Sequence, residues 1–257
     1  MDDSEPFPLS EMPKNWDGKT DMPRERNTNY RKRSRDIAYK CRDSNRRLFL
    51  IAAEGDKTEA NYFTRFETKY KETFDERNLH VEFIDKETSA HSDPKHVYET
   101  LKNFCEELEK TYDLQTYDEL WLITDTDDYD NRENAISELI KKCEEDPLYH
   151  LSLSNPCFEI WAMLHFADLD DDVRSYDITH SENCTIKDYV KSFPVKRRPK
   201  KCKTLLASVH GNKQPIYENM IRRIKDAIPR AKKLKSCIPL DKDSICTDVY
   251  KLMEKLI

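Results

Sequence analysis

Three carboxylates, Glu54, Asp125 and Asp127, have the type and spacing to hold a divalent cation. Glu54 follows the apolar run Leu48 to Ala53 and precedes Gly55, whereas Asp125 and Asp127 follow a second run, Glu119 to Thr124. Residues i and i+2 leaving a strand project to one side, so Asp125 and Asp127 are predicted to face one ion. If the two strands are neighbours, Glu54 joins them. Three hard oxygen ligands would then form an open magnesium site that accepts a phosphate as a further ligand. Asp128 is either another ligand or a residue of the next helix start. The bland reading is that acidic residues commonly follow strands as turn or capping residues.

Lys57 and Glu59 lie on the loop and helix start after Glu54. Lys57 could pair a phosphate oxygen beside the backbone N–H groups of the helix N-terminus, against the plain alternative of an exposed lysine. Glu59 completes a second metal position or only complements the helix dipole, and Glu159 is weighed in the same way. Further on, Tyr189 and Lys191, with Lys196, Arg197 and Arg198, are candidates for contacts to a nucleic-acid backbone. His91 sits in a polar loop, where a histidine is more often simply exposed.

These residues need a frame. Leu48 to Ala53 reads as a parallel strand covered on both faces, and Thr58, as an N-cap, opens a helix running to about Phe74. His80 to Asp85 alternates as a second strand, followed by a helix from Pro94 capped by Asp93, then the strand before Asp125. A helix from about Asn131 to Glu145, a strand Tyr149 to Ser154 and a helix capped by Asn155 complete the alternation. Such a β-α series argues for an α/β fold with a mostly parallel sheet flanked by helices. After a hinge at Asp168 to Asp172, helices are predicted near 182–192, 214–235 and 244–257, with Pro229 kinking or ending the second and a basic loop from Pro194 to Lys203.

The 257 residues permit one large domain or a domain plus a subdomain, and three glycines with 37% charged residues fit a helix-rich chain. The expected division is a polar, then basic arm over 1–45, a catalytic domain over 46–170 and a smaller basic helical region over 171–257. Residues 1–22 read as a disordered leader, and ten Lys/Arg between Arg24 and Arg47 as an arm for a phosphate backbone or a solvated tail. No apolar run approaches the roughly 20 residues of a membrane helix, and the N-terminus lacks a signal-peptide pattern, so a cytoplasmic chain without a membrane partner is expected. The eight scattered cysteines show no zinc spacing and read as reduced packing residues. The net charge of −6 conceals a separation: Glu106 to Asp172 holds 20 carboxylates and 4 Lys/Arg, whereas Glu182 to Lys235 holds 16 Lys/Arg and 4 carboxylates. One part could hold cations and the other polyanions, or two solvated faces could neutralise each other.

The strand-end glutamate paired with a later DxD resembles the TOPRIM domain of topoisomerases, primases and OLD-type nucleases. EGDKTEANYF (Glu54 to Phe63), ITDTDD (Ile123 to Asp128) and SNPCFEIWAMLHF (Ser154 to Phe166), in that order, resemble more closely the RloB family of bacterial proteins, which carry a TOPRIM-like domain. Weaker similarity continues through DYVKSF and the closing SICTDVYKLMEKL. The resemblance implies Mg2+, or Mn2+ in its place, on Asp125 and Asp127, with Glu54 as base or shared ligand. It further implies a nuclease acting on RNA (tRNA included) or DNA in anti-phage defence, with a partner ATPase or other defence protein and room for a homo-oligomer. A non-catalytic binding module is the main alternative. A haloacid-dehalogenase phosphatase fits poorly, because Asp128 replaces the expected Thr or Val and the strand is third in the chain. No separate domain presents a topoisomerase tyrosine, primase would need further nucleotide-binding modules, and neither an EF-hand nor a P-loop pattern is present.

Overall fold

The computed structural model describes residues 30–44, 46–55, 57–84, 94–127, 129–172, 184–210 and 216–257. The expected leader, His91, the cap at Asp93 and Asp128 lie outside the described residues. Four parallel strands, β1 (Arg47–Ala53), β2 (Leu79–Ile84), β3 (Glu119–Asp125) and β4 (Tyr149–Asn155), are ordered β2-β1-β3-β4, and a short β5 (Cys246–Thr247) runs antiparallel at the β4 edge. The fold is therefore the expected α/β one with a mostly parallel sheet.

Along β1 the pleat sends Phe49, Ile51 and Ala53 into one core and Leu48, Leu50 and Ala52 into the other. Both faces are covered. One is packed by α2 (Thr58–Lys69), α3 (Lys71–Glu76), α6 (Glu159–Leu164), α7 (Ile186–Lys191), α8 (Arg198–His210), α9 (Ile216–Arg222), α10 (Ile224–Lys232) and α11 (Val249–Leu256). The other is packed by α1 (Tyr30–Ser44), α4 (Pro94–Leu108) and Leu139 of α5 (Tyr129–Glu145). Among the described residues no helix is long and apolar enough to cross a membrane.

Several expectations need correction. From Tyr30 onward the basic arm is helix α1, which buries Tyr30, Ile37, Ala38 and Cys41, and Arg33 bonds Glu82 and the Phe83 carbonyl. The basic loop at 194–203 is mostly helix: Val195–Arg197 forms a 3-10 turn and α8 follows, with Pro199 in its first turn, where a missing N–H costs little. The break in the long C-terminal helix falls at Arg223, and Pro229 sits inside α10. Lys57, not Thr58, occupies the N-cap of α2. Asn155 ends β4 and does not cap α6; its Oδ1 accepts from Thr126 Oγ1, and its Nδ2 donates to the carbonyl of Ser244 at 2.7 Å. Cys237 and Cys246 form a disulfide with Cα atoms 5.6 Å apart, whereas Cys41, Cys105, Cys157 and Cys202 are free and buried as expected.

The residues after Asp172 do not form a unit apart. Ile186, Leu205, Ile224, Val249 and Leu256 share one core with Phe49 and Trp121. At the amino edge of the sheet, Asp118 accepts from Leu48 N–H, Gln115 N–H and Tyr112 Oη, while Glu119 accepts from Arg47, Trp121 Nε1 and Lys255 Nζ. Those carboxylates are fully engaged in holding the fold.

Candidate functional site

The opposite edge is different. Strand order reverses between β1 and β3, and open α/β sheets bind ligands beyond the carboxyl ends of the strands at such a switch point. Ala53 pairs with Ile123, and the Glu54 N–H donates to the Ile123 carbonyl at 2.9 Å, so the acidic tips of the two strands are adjacent. Thr124 Oγ1 donates to Glu54 Oε2, and the Asp125 N–H lies 3.4 Å from the same oxygen.

β3 ends at Asp125, so the alternation rule does not carry to Asp127. Its φ of 42° turns the chain through the left-handed region, which aspartate tolerates better than most residues. The Asp127 N–H donates to the Pro156 carbonyl at 2.8 Å, and its side chain remains 43% exposed. Arg132, from α5, joins the two tips. It donates to Glu54 Oε1, to Asp127 Oδ2 at 3.2 Å and to the Asp125 carbonyl at 3.1 Å.

Asp125 instead faces α2 and α6. Its Oδ1 is buried and has no hydrogen-bond partner among the described residues. Glu59, in the first turn of α2, and Glu159, in the first turn of α6, are both buried. Burial, then the charges of Glu59, Asp127, Glu54 and Glu159, hold the Asp125 carboxyl well above the usual carboxylate range. Burial, together with Glu159 and Glu54 and against a backbone hydrogen bond, pushes Glu59 up to about 7. Asp127 is also raised, chiefly by burial, with Arg132 acting in the opposite direction. From α8, Lys203 answers these charges: its ammonium is held above the ordinary lysine value first by Glu159, then by Cys157, Asp127 and Asp125.

The structure thus brings Glu54, Glu59, Asp125 and Asp127 together and adds Glu159, Arg132 and Lys203. Lys57 is exposed at the N-cap of α2, where its carbonyl accepts from the Asn61 N–H. Of the residues expected to touch nucleic acid, Lys191, Lys196 and Arg197 are exposed. Tyr189 and Arg198 are corrections. Tyr189 is buried edge-on against Phe193, and the Arg198 guanidinium donates to the carbonyls of Phe193, Lys191 and Lys242, so both serve packing. Arg132 had a legible signal, because it lies four residues before Ile136 and seven before Leu139 on the buried stripe of α5. Lys203 had none, since it sat in a stretch read as loop.

A buried carboxylate oxygen without a partner, set among other hard oxygen donors, fits a divalent cation. Among the described residues, however, no three His, Cys, Asp or Glu side chains are gathered in a metal-binding arrangement. Arg132 holds Glu54 and Asp127, while Asp125 lies with Glu59 and Glu159.

Fold and site together define a mostly parallel α/β protein with an acidic cluster at its switch point. The chain belongs to the RloB-like protein family, whose pattern matches residues 49–256 and so extends through the C-terminal helices. No curated protein and no solved structure matches it.

Proposed function

We propose that this chain is a divalent-metal-dependent nuclease of TOPRIM type that hydrolyses phosphodiester bonds of RNA or DNA in the cytoplasm. The observation that carries the reading is the contrast between the two sheet edges. Carboxylates at the amino edge are fully hydrogen-bonded, whereas at the carboxyl edge Asp125 Oδ1 is buried with no hydrogen-bond partner among the described residues. Structural carboxylates are satisfied where they are buried; a crowded, unsatisfied set suits a site completed by a cation.

Asp125, Glu59 and Glu159 would hold Mg2+ or Mn2+, with Asp127 and Glu54 at its open side. When bound, the ion supplies a water of lowered pKa and neutralises charge on a phosphate. Glu54, fixed by Thr124 and Arg132, is oriented to take a proton from the attacking water. Lys203, facing the cluster, is suited to a phosphate oxygen, and the exposed Lys191, Lys196 and Arg197 to the flanking backbone. The role in anti-phage defence rests on the family resemblance alone.

The expected result with purified protein is cleavage of RNA or DNA that requires Mg2+ or Mn2+ and stops with chelator. Asp127→Ala and Glu54→Gln should each lower the rate roughly 100-fold or more with circular dichroism unchanged, and full activity in either would refute the site. A second reading, a binding module without catalysis, is favoured by the absence of a gathered metal-binding group among the described residues. It predicts nucleic-acid binding without cleavage in any metal.

A further inference from the structure

Arg132 is the residue the proposed chemistry does not require and the geometry most conspicuously installs. Its guanidinium is only 14% exposed and spans two carboxylates from different parts of the sheet edge, Glu54 of the β1 tip and Asp127 of the turn after β3. It also donates to the Asp125 carbonyl at 3.1 Å, which ties it to the backbone of that turn. Its position on α5 is fixed by Ile136 and Leu139, which bury the same face of the helix.

The carboxylates therefore fall into two groups. Glu54 has both oxygens engaged, Oε1 by Arg132 and Oε2 by Thr124 Oγ1. Asp127 Oδ2 is engaged by Arg132 at 3.2 Å. Asp125 Oδ1 is engaged by no described residue. An arriving cation can take Asp125 as it stands, but it can take Glu54 or Asp127 only by displacing a guanidinium nitrogen.

We infer that Arg132 is a positioning residue that acts as the resident counter-cation of Glu54 and Asp127, competes with the divalent ion for them and sets the site's metal affinity. The inference rests on the metal-dependent reading above. It follows from the fork shape of the guanidinium, which bridges two carboxylates where a lysine ammonium, a point charge, would hold them less rigidly. Without Arg132 the two carboxylates repel each other and attract a dication more strongly.

The test is direct titration of Mn2+ into metal-free protein, followed by the paramagnetic resonance of the free ion, with no substrate present. Arg132→Gln should bind Mn2+ about tenfold more tightly than wild type, the affinity change that corresponds to about 1.4 kcal/mol. Arg132→Lys, which keeps the charge but loses the fork, should also bind more tightly. Lys203→Gln removes one positive charge beside the same cluster without a guanidinium bridge and should gain less than Arg132→Gln. Thermal unfolding with and without Mn2+ monitors folding, and the stabilisation by Mn2+ should be larger in Arg132→Gln than in wild type. Wild-type affinity in Arg132→Gln or Arg132→Lys would overturn the inference. So would equal gains in Arg132→Gln and Lys203→Gln, because charge alone would then account for them. Absence of Mn2+ binding in every protein, wild type included, would instead overturn the metal-dependent reading itself and this inference with it.

Discussion

Gly55 has no room for a side chain because Glu59 folds back over it. A β-carbon there would lie 1.8 Å from Glu59 Oε2 and 2.4 Å from Oε1. The glycine is needed for this close approach, by which a buried carboxylate is lodged beside Asp125. Gly55→Ala should push the Glu59 carboxylate out of its place and lower metal-dependent cleavage by about tenfold or more, while thermal stability changes little, because the displaced atoms are the end of one side chain. Steady-state cleavage rates beside a melting curve check this, and an unchanged rate would remove Glu59 from the site. At this scale the sequence was partly legible. Glu54, Asp125, Asp127 and Glu59 could be singled out because each ends or follows an apolar run. Arg132 and Lys203 act through partners 78 residues or more distant in the chain, or on a separate helix, and no local pattern announces such a partner.

Among the elements, the strands were legible because both faces of a parallel sheet must be apolar, which leaves short unbroken runs such as Leu48 to Ala53. α1 was obscured by its charge. Its buried residues Tyr30, Ile37, Ala38 and Cys41 do recur at helical spacing, yet the lysines and arginines between them read as a solvated arm. α8 was obscured by two prolines and by a buried stripe of only Cys202, Leu205 and Leu206. α1 is fastened to β2 by Arg33, which lies 2.5 Å from Glu82 Oε1, and His80 Nε2 lies 3.5 Å from Oε2. Burial alone would push the Glu82 carboxyl up, but His80 and Arg33 outweigh it and hold the group at about 2. A carboxyl whose folded pKa is depressed stabilises the fold above its ordinary pKa, and that contribution is lost as pH falls from about 4.5 toward about 2. Arg33→Met should therefore weaken α1 at neutral pH and flatten the acid dependence over that window. Hydrogen exchange of the α1 amides is the measurement; equal protection in wild type and variant would show that α1 is held by its apolar face alone.

Across the whole molecule, the separation of charge along the chain becomes a juxtaposition in space. The acidic stretch supplies the cluster at the switch point, and the basic stretch folds as helices over the same face of the sheet, with α8 packed on α6 and Lys203 turned toward the carboxylates. The C-terminal helices belong to the same core as β1, and α11 is pinned at the opposite edge by Lys255 on Glu119. One edge of the sheet is thus closed by satisfied ion pairs and the other is left with unresolved negative charge.

Isothermal titration of Mn2+ into wild type and Asp125→Asn tests this account most directly. Removing one carboxylate charge at the centre of the crowd leaves a side chain of nearly the same shape, so the fold should persist while the cation loses its principal anchor. The account predicts saturable binding in wild type and at least a roughly tenfold loss of affinity in Asp125→Asn. Equal binding in the two proteins, or no binding in wild type, would contradict it.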